Sequence, residues 1–174
     1  MPYDRITFRH SKGFTLLELV VVVFLIALIS SVTMLSIGDA GQGRQFENEI
    51  KRMELLLGLA AEEAIVRGES IGLSLSEVGY RYLLHEEGQW IALADPSPFR
   101  QHQLPPFMTL DLIVGGQNRH LSSLIPPDPQ VVFHPTGEVT GCIVRLIGKE
   151  AGTAVMLVVG HDGQITRQED EGVL

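Results

Sequence analysis

From Leu19 to Ile37 the chain runs for nineteen residues without a charge, and a single acid, Glu18, stands at the head of that run. At about 1.5 Å of rise per residue, a helix of that length matches a hydrocarbon core of about 30 Å. A buried core helix fits less well, because the run is apolar all round and has no polar stripe at helical period. A secretory signal peptide would need a small-residue A-x-A-like site after its apolar core, and "SSVTMLSIGDAGQG" offers only a poor one. The reading that leads is a single membrane span. Arg5, Arg9 and Lys12 precede it against Asp4, while the longer segment that follows is acidic. That asymmetry puts the N-terminus in the cytoplasm and the C-terminal body outside.

The rest of the composition narrows the function. A chain of 174 residues has room for one folded domain plus an anchor. Its formal net charge of -8 argues against a general role on nucleic acid or anionic lipid surfaces. One cysteine excludes an internal disulfide and any multi-cysteine metal site.

A carboxylate inside a span costs about 2.5–3.5 kcal/mol at the centre and less near an end. Glu18 stands near the cytoplasmic end, where the positive pole of the helix favours an acid. On physics alone, a harmless interfacial acid and a functional one are evenly matched. The surrounding residues carry more. "KGFTLLELVVVVFLIALIS" resembles the class III signal of type IV pilins and type II secretion pseudopilins. The resemblance implies that a prepilin peptidase cuts between Gly13 and Phe14 on the cytoplasmic face and N-methylates Phe14. It also implies that Glu18, four residues after the new terminus, is the assembly acid. An unpaired buried carboxylate is expensive, and an α-amino group beside it offsets the cost.

Past the span, "IGDAGQGRQ" places Gly38, Gly41 and Gly43 close together, a point where a helix is expected to bend or melt. Helical patterning then resumes. Phe46, Ile50, Met53, Leu57, Ala60 and Ala64 form one apolar stripe, and Glu47–Lys51 and Glu63–Arg67 are i,i+4 pairs in the favourable order. Gly68 is the expected stop. Strand-like segments follow at 70–76, 80–86, 89–94, 107–114, 130–134, 138–147 and 153–160. The turn signals Glu87-Gly88, Pro135-Thr136-Gly137 and Asp162-Gly163 separate them. The proline-rich connections "DPSPFRQHQLPP" and "RHLSSLIPPDP" are expected to be exposed loops.

The expected fold is therefore α+β: a long N-terminal helix, its first half membrane-spanning, followed by an antiparallel β-sandwich head. The expected divisions are 1–13 cleaved leader, 14–37 transmembrane helix, 38–68 amphipathic continuation, and 69–174 periplasmic head. Within the head, "GYRYLLHEEGQWIAL", "LPPFMTLDL" and "VVFHPTGEVTGCIVRL" resemble, in that order, segments of the H subfamily of type II secretion minor pseudopilins. The sequence departs from that hairpin pattern after Thr140, where Gly141-Cys142 stands in place of a Pro-Phe pair.

Catalytic chemistry finds little support. His10, His85, His102, His120, His134 and His161 lack metal-ligand spacing. His134 and His161 lie beside turns, with Asp162 next to His161, and read as surface turn histidines. No serine sits in a G-x-S-x-G elbow. Cys142 reads as a buried small hydrophobe. Gly115-Gly116 is too little for a phosphate cradle, and the aspartates do not form a calcium loop. No catalytic residue, metal or cofactor is expected.

The first functional expectation is structural: a minor pseudopilin packed laterally into a periplasmic fibre that helps drive export across the outer membrane. Its implied partners are the major and minor pseudopilins, the prepilin peptidase and the bacterial inner membrane. The second expectation is a minor pilin of a type IV pilus. Binding DNA would call for a basic patch, whereas this chain ends "RQEDEGVL". The third is a single-pass periplasmic enzyme or receptor, which would keep residues 1–13.

Overall fold

The computed structural model describes residues 15–93, 98–149 and 153–169, and leaves aside the side chains of residues 30–40. Elements follow in the order α1 (Leu16–Arg67), β1 (Ile71–Ser76), β2 (Gly79–Glu86), β3 (Gln89–Ala92), β4 (His102–Gln103), β5 (Met108–Val114), β6 (Gln117–Arg119), β7 (Val131–Phe133), β8 (Cys142–Gly148), β9 (Ala154–Val159) and β10 (Ile165–Glu169). The chain divides into two compact units, Met1–Gly43 and Arg44–Leu174.

In the first unit every described side chain from Leu16 to Ile29 is exposed, whichever way it points. Among the described residues no helix is long and apolar enough to cross a membrane. The described side chains of the apolar run stop at Ile29, so the expected span 14–37 lies partly outside them. The backbone stays helical through Gly38, Gly41 and Gly43, where the sequence pointed to a bend or local melting. A glycine costs a helix interior only roughly 1 kcal/mol, too little by itself to break a helix of 52 residues.

In the second unit the helix is amphipathic. Ile50, Met53, Leu57, Ala60 and Ala64 are fully buried and Phe46 packs against them from the edge. The expected i,i+4 pairs both form, Lys51 Nζ lying 3.6 Å from Glu47 and Arg67 Nε 2.6 Å from Glu63. Gly68 ends the helix at φ +69°, its N–H donating to the Ala64 carbonyl at 3.1 Å. That left-handed residue is where a side chain would be strained and glycine is not.

Two antiparallel sheets complete the head. In the first, β3, β2, β1 and β7 lie side by side, and β4 shares with β3 the outer edge of β2. In the second the order is β10, β9, β8, β5, β6. Alternation along β8, whose Cys142, Val144 and Leu146 are buried while Ile143, Arg145 and Ile147 are less so, gives a one-sided core face. Leu73, Leu75 and Tyr80 from the first sheet, Leu110, Val144 and Leu157 from the second, and the helix stripe meet in one apolar core. This is the α+β helix-and-double-sheet head the sequence led us to expect.

Three strands escaped the sequence reading: β4, β6 and β10. Two expectations are corrected. The proline-rich connections are not simply exposed loops. Phe99 and Leu104 are buried in the core, and His102–Gln103 pair with Tyr80 and Gly79; residues 95–97 of the same stretch lie outside the described residues. In the other connection Leu121 is buried, Arg81 donates to the Pro126 carbonyl at 2.8 Å, and Pro129 presses on β1 so closely that a Cβ at Gly72 would stand 2.6 Å from it. The Gln130 amide then continues the ladder, accepting from Leu75 N–H at 2.8 Å and donating to the Leu75 carbonyl at 2.9 Å. Covered on both faces, β1 is buried at every position, Ser74 and Ser76 included. The second correction concerns 138–147, where regular strand begins only at Cys142. Before it, Val139 makes one isolated bridge to Phe133 and donates its N–H to the His161 carbonyl.

Candidate functional site

The head of the helix is built from Thr15 and Glu18. Thr15 precedes the first helical residue, and its Oγ1 accepts from Glu18 N–H at 3.3 Å while its carbonyl takes the N–H of Glu18 and of Leu19 at 3.1 and 3.2 Å. A threonine followed three residues later by a glutamate is the spacing of a capping box; here the Thr15 hydroxyl satisfies one orphan donor of the first turn, and the spacing places the acid at the positive end of the helix. The T-x-x-E spacing was available in the sequence and supplies a local role for Thr15 that the sequence reading missed. Glu18 is exposed, at the top of an apolar surface formed by Leu16, Leu17, Leu19 and Val20. Gly13 and Phe14, the expected cleavage and methylation positions, lie outside the described residues.

On the head, charged groups tie the helix to the sheets. The Arg167 guanidinium grips Glu47 with two hydrogen bonds of 2.7 Å each, and that bonding holds the Glu47 carboxyl below its ordinary value. His102 Nε2 lies 2.8 Å from Glu49 Oε2, and its ring packs on Tyr80. Arg52 Nε donates to the Tyr80 hydroxyl at 3.2 Å. Burial nonetheless pushes Tyr80 up to about 12. Beside these contacts a groove of about 540 Å³ opens along the helix, lined by Lys51, Arg52, Leu55 and Leu56 on one side and Pro98 and Arg100 on the other.

The histidines take separate places. His85 packs on Trp90 at 4.8 Å between ring centroids, His120 is exposed, and His134 Nδ1 lies 3.5 Å from Ser70 Oγ. His161 donates from Nδ1 to the Val139 carbonyl at 3.1 Å, and its ring occupies the space that a Cβ on Gly141 would need, 2.7 Å away. The departure from the Pro-Phe pattern is accommodated locally: a side chain at 141 would have to displace that imidazole. Asp162, its neighbour, turns its Oδ1 to Gln164 N–H at 3.1 Å and caps the turn. Among the described residues no group of three His, Cys, Asp or Glu is placed to hold a metal ion. Cys142 is buried, and burial pushes its thiol up to about 12, far from the thiolate that reactive chemistry requires. Gly115 and Gly116, at φ +60° and +75°, form the two-residue turn between β5 and β6, a hairpin signal that the sequence reading passed over.

A capped helix with an acid in its first turn, continued by an amphipathic half built into two antiparallel sheets, is the framework of a pilin-like subunit. Residues 8–34 match the prokaryotic N-terminal methylation motif, and residues 49–163 match the model of the type II transport protein GspH. The chain belongs to the GspH family of type II transport proteins. It is 33% identical over 148 residues to type II secretion system protein H of Pseudomonas aeruginosa, covering 79% of this chain and 84% of that relative. The protein of the same name from Aeromonas hydrophila is 27% identical over 177 residues, with 94% and 97% covered. The fold is that of the minor pseudopilin EpsH from the type II secretion system of Vibrio cholerae, with a TM-score of 0.62 at 19% identity over 74% of this chain and 96% of that one.

Proposed function

We propose that the chain is a minor pseudopilin of the type II secretion system, a structural subunit and not an enzyme, which enters the periplasmic pseudopilus that drives export across the outer membrane. In this reading residues 14–37 hold it in the bacterial inner membrane, with the N-terminus cytoplasmic and the head periplasmic. A prepilin peptidase cuts between Gly13 and Phe14 and methylates Phe14. Glu18 then meets a positive charge on a neighbouring pseudopilin, the α-amino group that cleavage creates. The observation that carries the proposal is the methylation motif at 8–34 standing directly ahead of the GspH head at 49–163.

The chemistry supports it. The side chains around Glu18 are apolar and exposed, so they need lipid or other helices to cover them. In such surroundings opposite charges attract more strongly than in water, and either one alone is costly. The test has two parts. Intact-mass analysis of the membrane-extracted chain should show loss of Met1–Gly13 and gain of one methyl group; a retained leader in cells with an active peptidase would overturn the reading. Glu18→Val should still be processed and inserted, yet fail to cross-link to its fibre partners. Co-assembly at native level by that variant would reduce Glu18 to an interfacial acid.

A further inference from the structure

Alternation along β2 turns Tyr80 and Tyr82 into the core and Arg81 to the opposite face of the first sheet. There a pocket of about 330 Å³ opens over the Arg81 side chain. Gln101 and Gln103, which flank His102, form one wall, and the 123–125 stretch forms the other. Val78 and Leu124 make the rim apolar, at 42% and 79% exposed. Both walls are fixed before anything enters. Gln103 is paired with Gly79. The opposite wall is held by Glu77 N–H, which donates to the Ser122 carbonyl at 3.0 Å, and by Arg81 Nη2, which donates to the Pro126 carbonyl at 2.8 Å.

Charge singles this pocket out. The chain carries a net charge of -8, yet among the described residues no acid lines the cavity and Arg81 is the one charged side chain that does. Arg81 makes no ion pair among the described residues, and its Nε–H is buried without an acceptor. A half-buried guanidinium has lost part of its hydration, and one neutral carbonyl replaces only a fraction of it. A carboxylate restores the balance, because its two oxygens match the planar fork of N–H donors. A single cation is too little for nucleic acid or an anionic lipid surface, which are held by clusters of Lys and Arg. Arginine set among exposed apolar side chains is instead the composition of a protein-binding site.

We infer that this pocket receives the carboxylate side chain of an aspartate or glutamate on a partner protein. Arg81 is its counter-ion, and Val78 and Leu124 cover the apolar residues next to it on the incoming segment. With both walls already in place, docking orders little beyond the side chain that enters. The inference concerns the pocket alone and does not depend on how the leader is processed or on Glu18.

Photo-cross-linking from the full chain in its membrane tests it. p-Benzoylphenylalanine replaces Ser123, which is exposed on the pocket wall, and the adducts formed on irradiation are sequenced. The linked segment of the partner should contain an Asp or Glu beside the attachment point. Changing that acid to its amide should cut the yield by about tenfold, as should Arg81→Gln. Arg81 also holds Pro126, so a second variant separates charge from folding. Leu124→Asp sets a repelling charge on the exposed rim without touching the core, and it too should cut the yield by about tenfold. Leu124→Lys removes the same apolar contact but attracts an acid, and it should retain most of the yield. The inference is overturned if no protein adduct forms, if the linked segment lacks an acid, or if lipid or nucleic acid is captured instead. It is equally overturned if Arg81→Gln leaves the yield intact or if the two Leu124 variants behave alike.

Discussion

Two stretches of the same helix, residues 16–29 and 46–64, are apolar for opposite reasons. In the first, Leu, Val, Ile and Phe occur at successive positions, and Leu16, Val23 and Leu25 are 82%, 57% and 50% exposed. In the second, large apolar residues recur at steps of three and four, and Ile50, Met53 and Leu57 are fully buried. Backbone geometry does not distinguish them. Periodicity does: a stripe can be covered by one sheet face, whereas a surface apolar all round has to be covered from every side. One stretch is therefore complete within its own molecule and the other is not.

The largest test of this contrast is a matched truncation. Leu57→Ala removes a fully buried side chain from between the helix and the sheets and should cost about 2–5 kcal/mol of head stability. Leu25→Ala makes the same chemical change in the other stretch. It should leave the head's melting temperature in detergent unchanged, as read from the near-ultraviolet dichroism of Trp90. A similar fall in both variants would show that the two stretches fold as one cooperative unit.

Glycine substitutions sharpen the contrast because the same change should take opposite signs. A Cβ at Gly79 would stand 2.5 Å from the His102 carbonyl oxygen, which is backbone held in the β2–β4 pair and cannot swing aside. Gly79→Ala should destabilise by about 1–3 kcal/mol, the usual cost of overpacking. At Gly41 nothing lies within 4 Å of the added methyl, and the backbone is helical. Gly41→Ala should make the helix more stable by about 0.5–1 kcal/mol. Amide exchange across residues 38–46 would register it, and faster exchange in that variant would contradict the assignment.

The difference between the two stretches was plain in the sequence, as was the buried stripe, because hydrophobic period reports directly on which side of a helix is covered. The hairpin at Glu87-Gly88 was legible through its turn residues, and Asp162-Gly163 was legible as a turn although the strand that follows it was not. What escaped was held by contacts that leave little trace in composition. β6 reads Gln-Asn-Arg and β10 has one aliphatic residue, Ile165; each is an edge strand fixed by its neighbour's ladder. The connection at 119–129 looked like a loop because proline and serine predominate there, yet its Pro129 packs on β1 at Gly72 and the following Gln130 extends the ladder to Leu75. The groove was invisible for a related reason: Arg100 is forty-eight positions from Arg52, and only the fold makes them neighbours.

The smallest expected effect compares the acids of the two stretches, Glu47 and Glu18. Glu47 receives the Arg167 fork and lies near Lys51, and the fork is the main reason its carboxyl titrates below the ordinary value. A carboxyl lowered in the folded state contributes stability above its unfolded value and loses it as the pH falls through the folded one. The side chain remains 37% exposed, so solvent screens the pair and the gain at neutral pH should be about 0.2–1 kcal/mol. Glu47→Gln should therefore lower the head's melting temperature slightly at pH 7, and the gap to the unaltered chain should close on acidification below the usual carboxylate range. Glu18→Gln alters the acid of the other stretch, which makes no ion pair among the described residues. Its melting curves should superimpose on those of the unaltered chain at every pH. A gap for Glu47→Gln that persists in acid would mean the amide disturbs packing and not charge, and a pH-dependent gap for Glu18→Gln would mean that the head senses the charge at the far end of the helix.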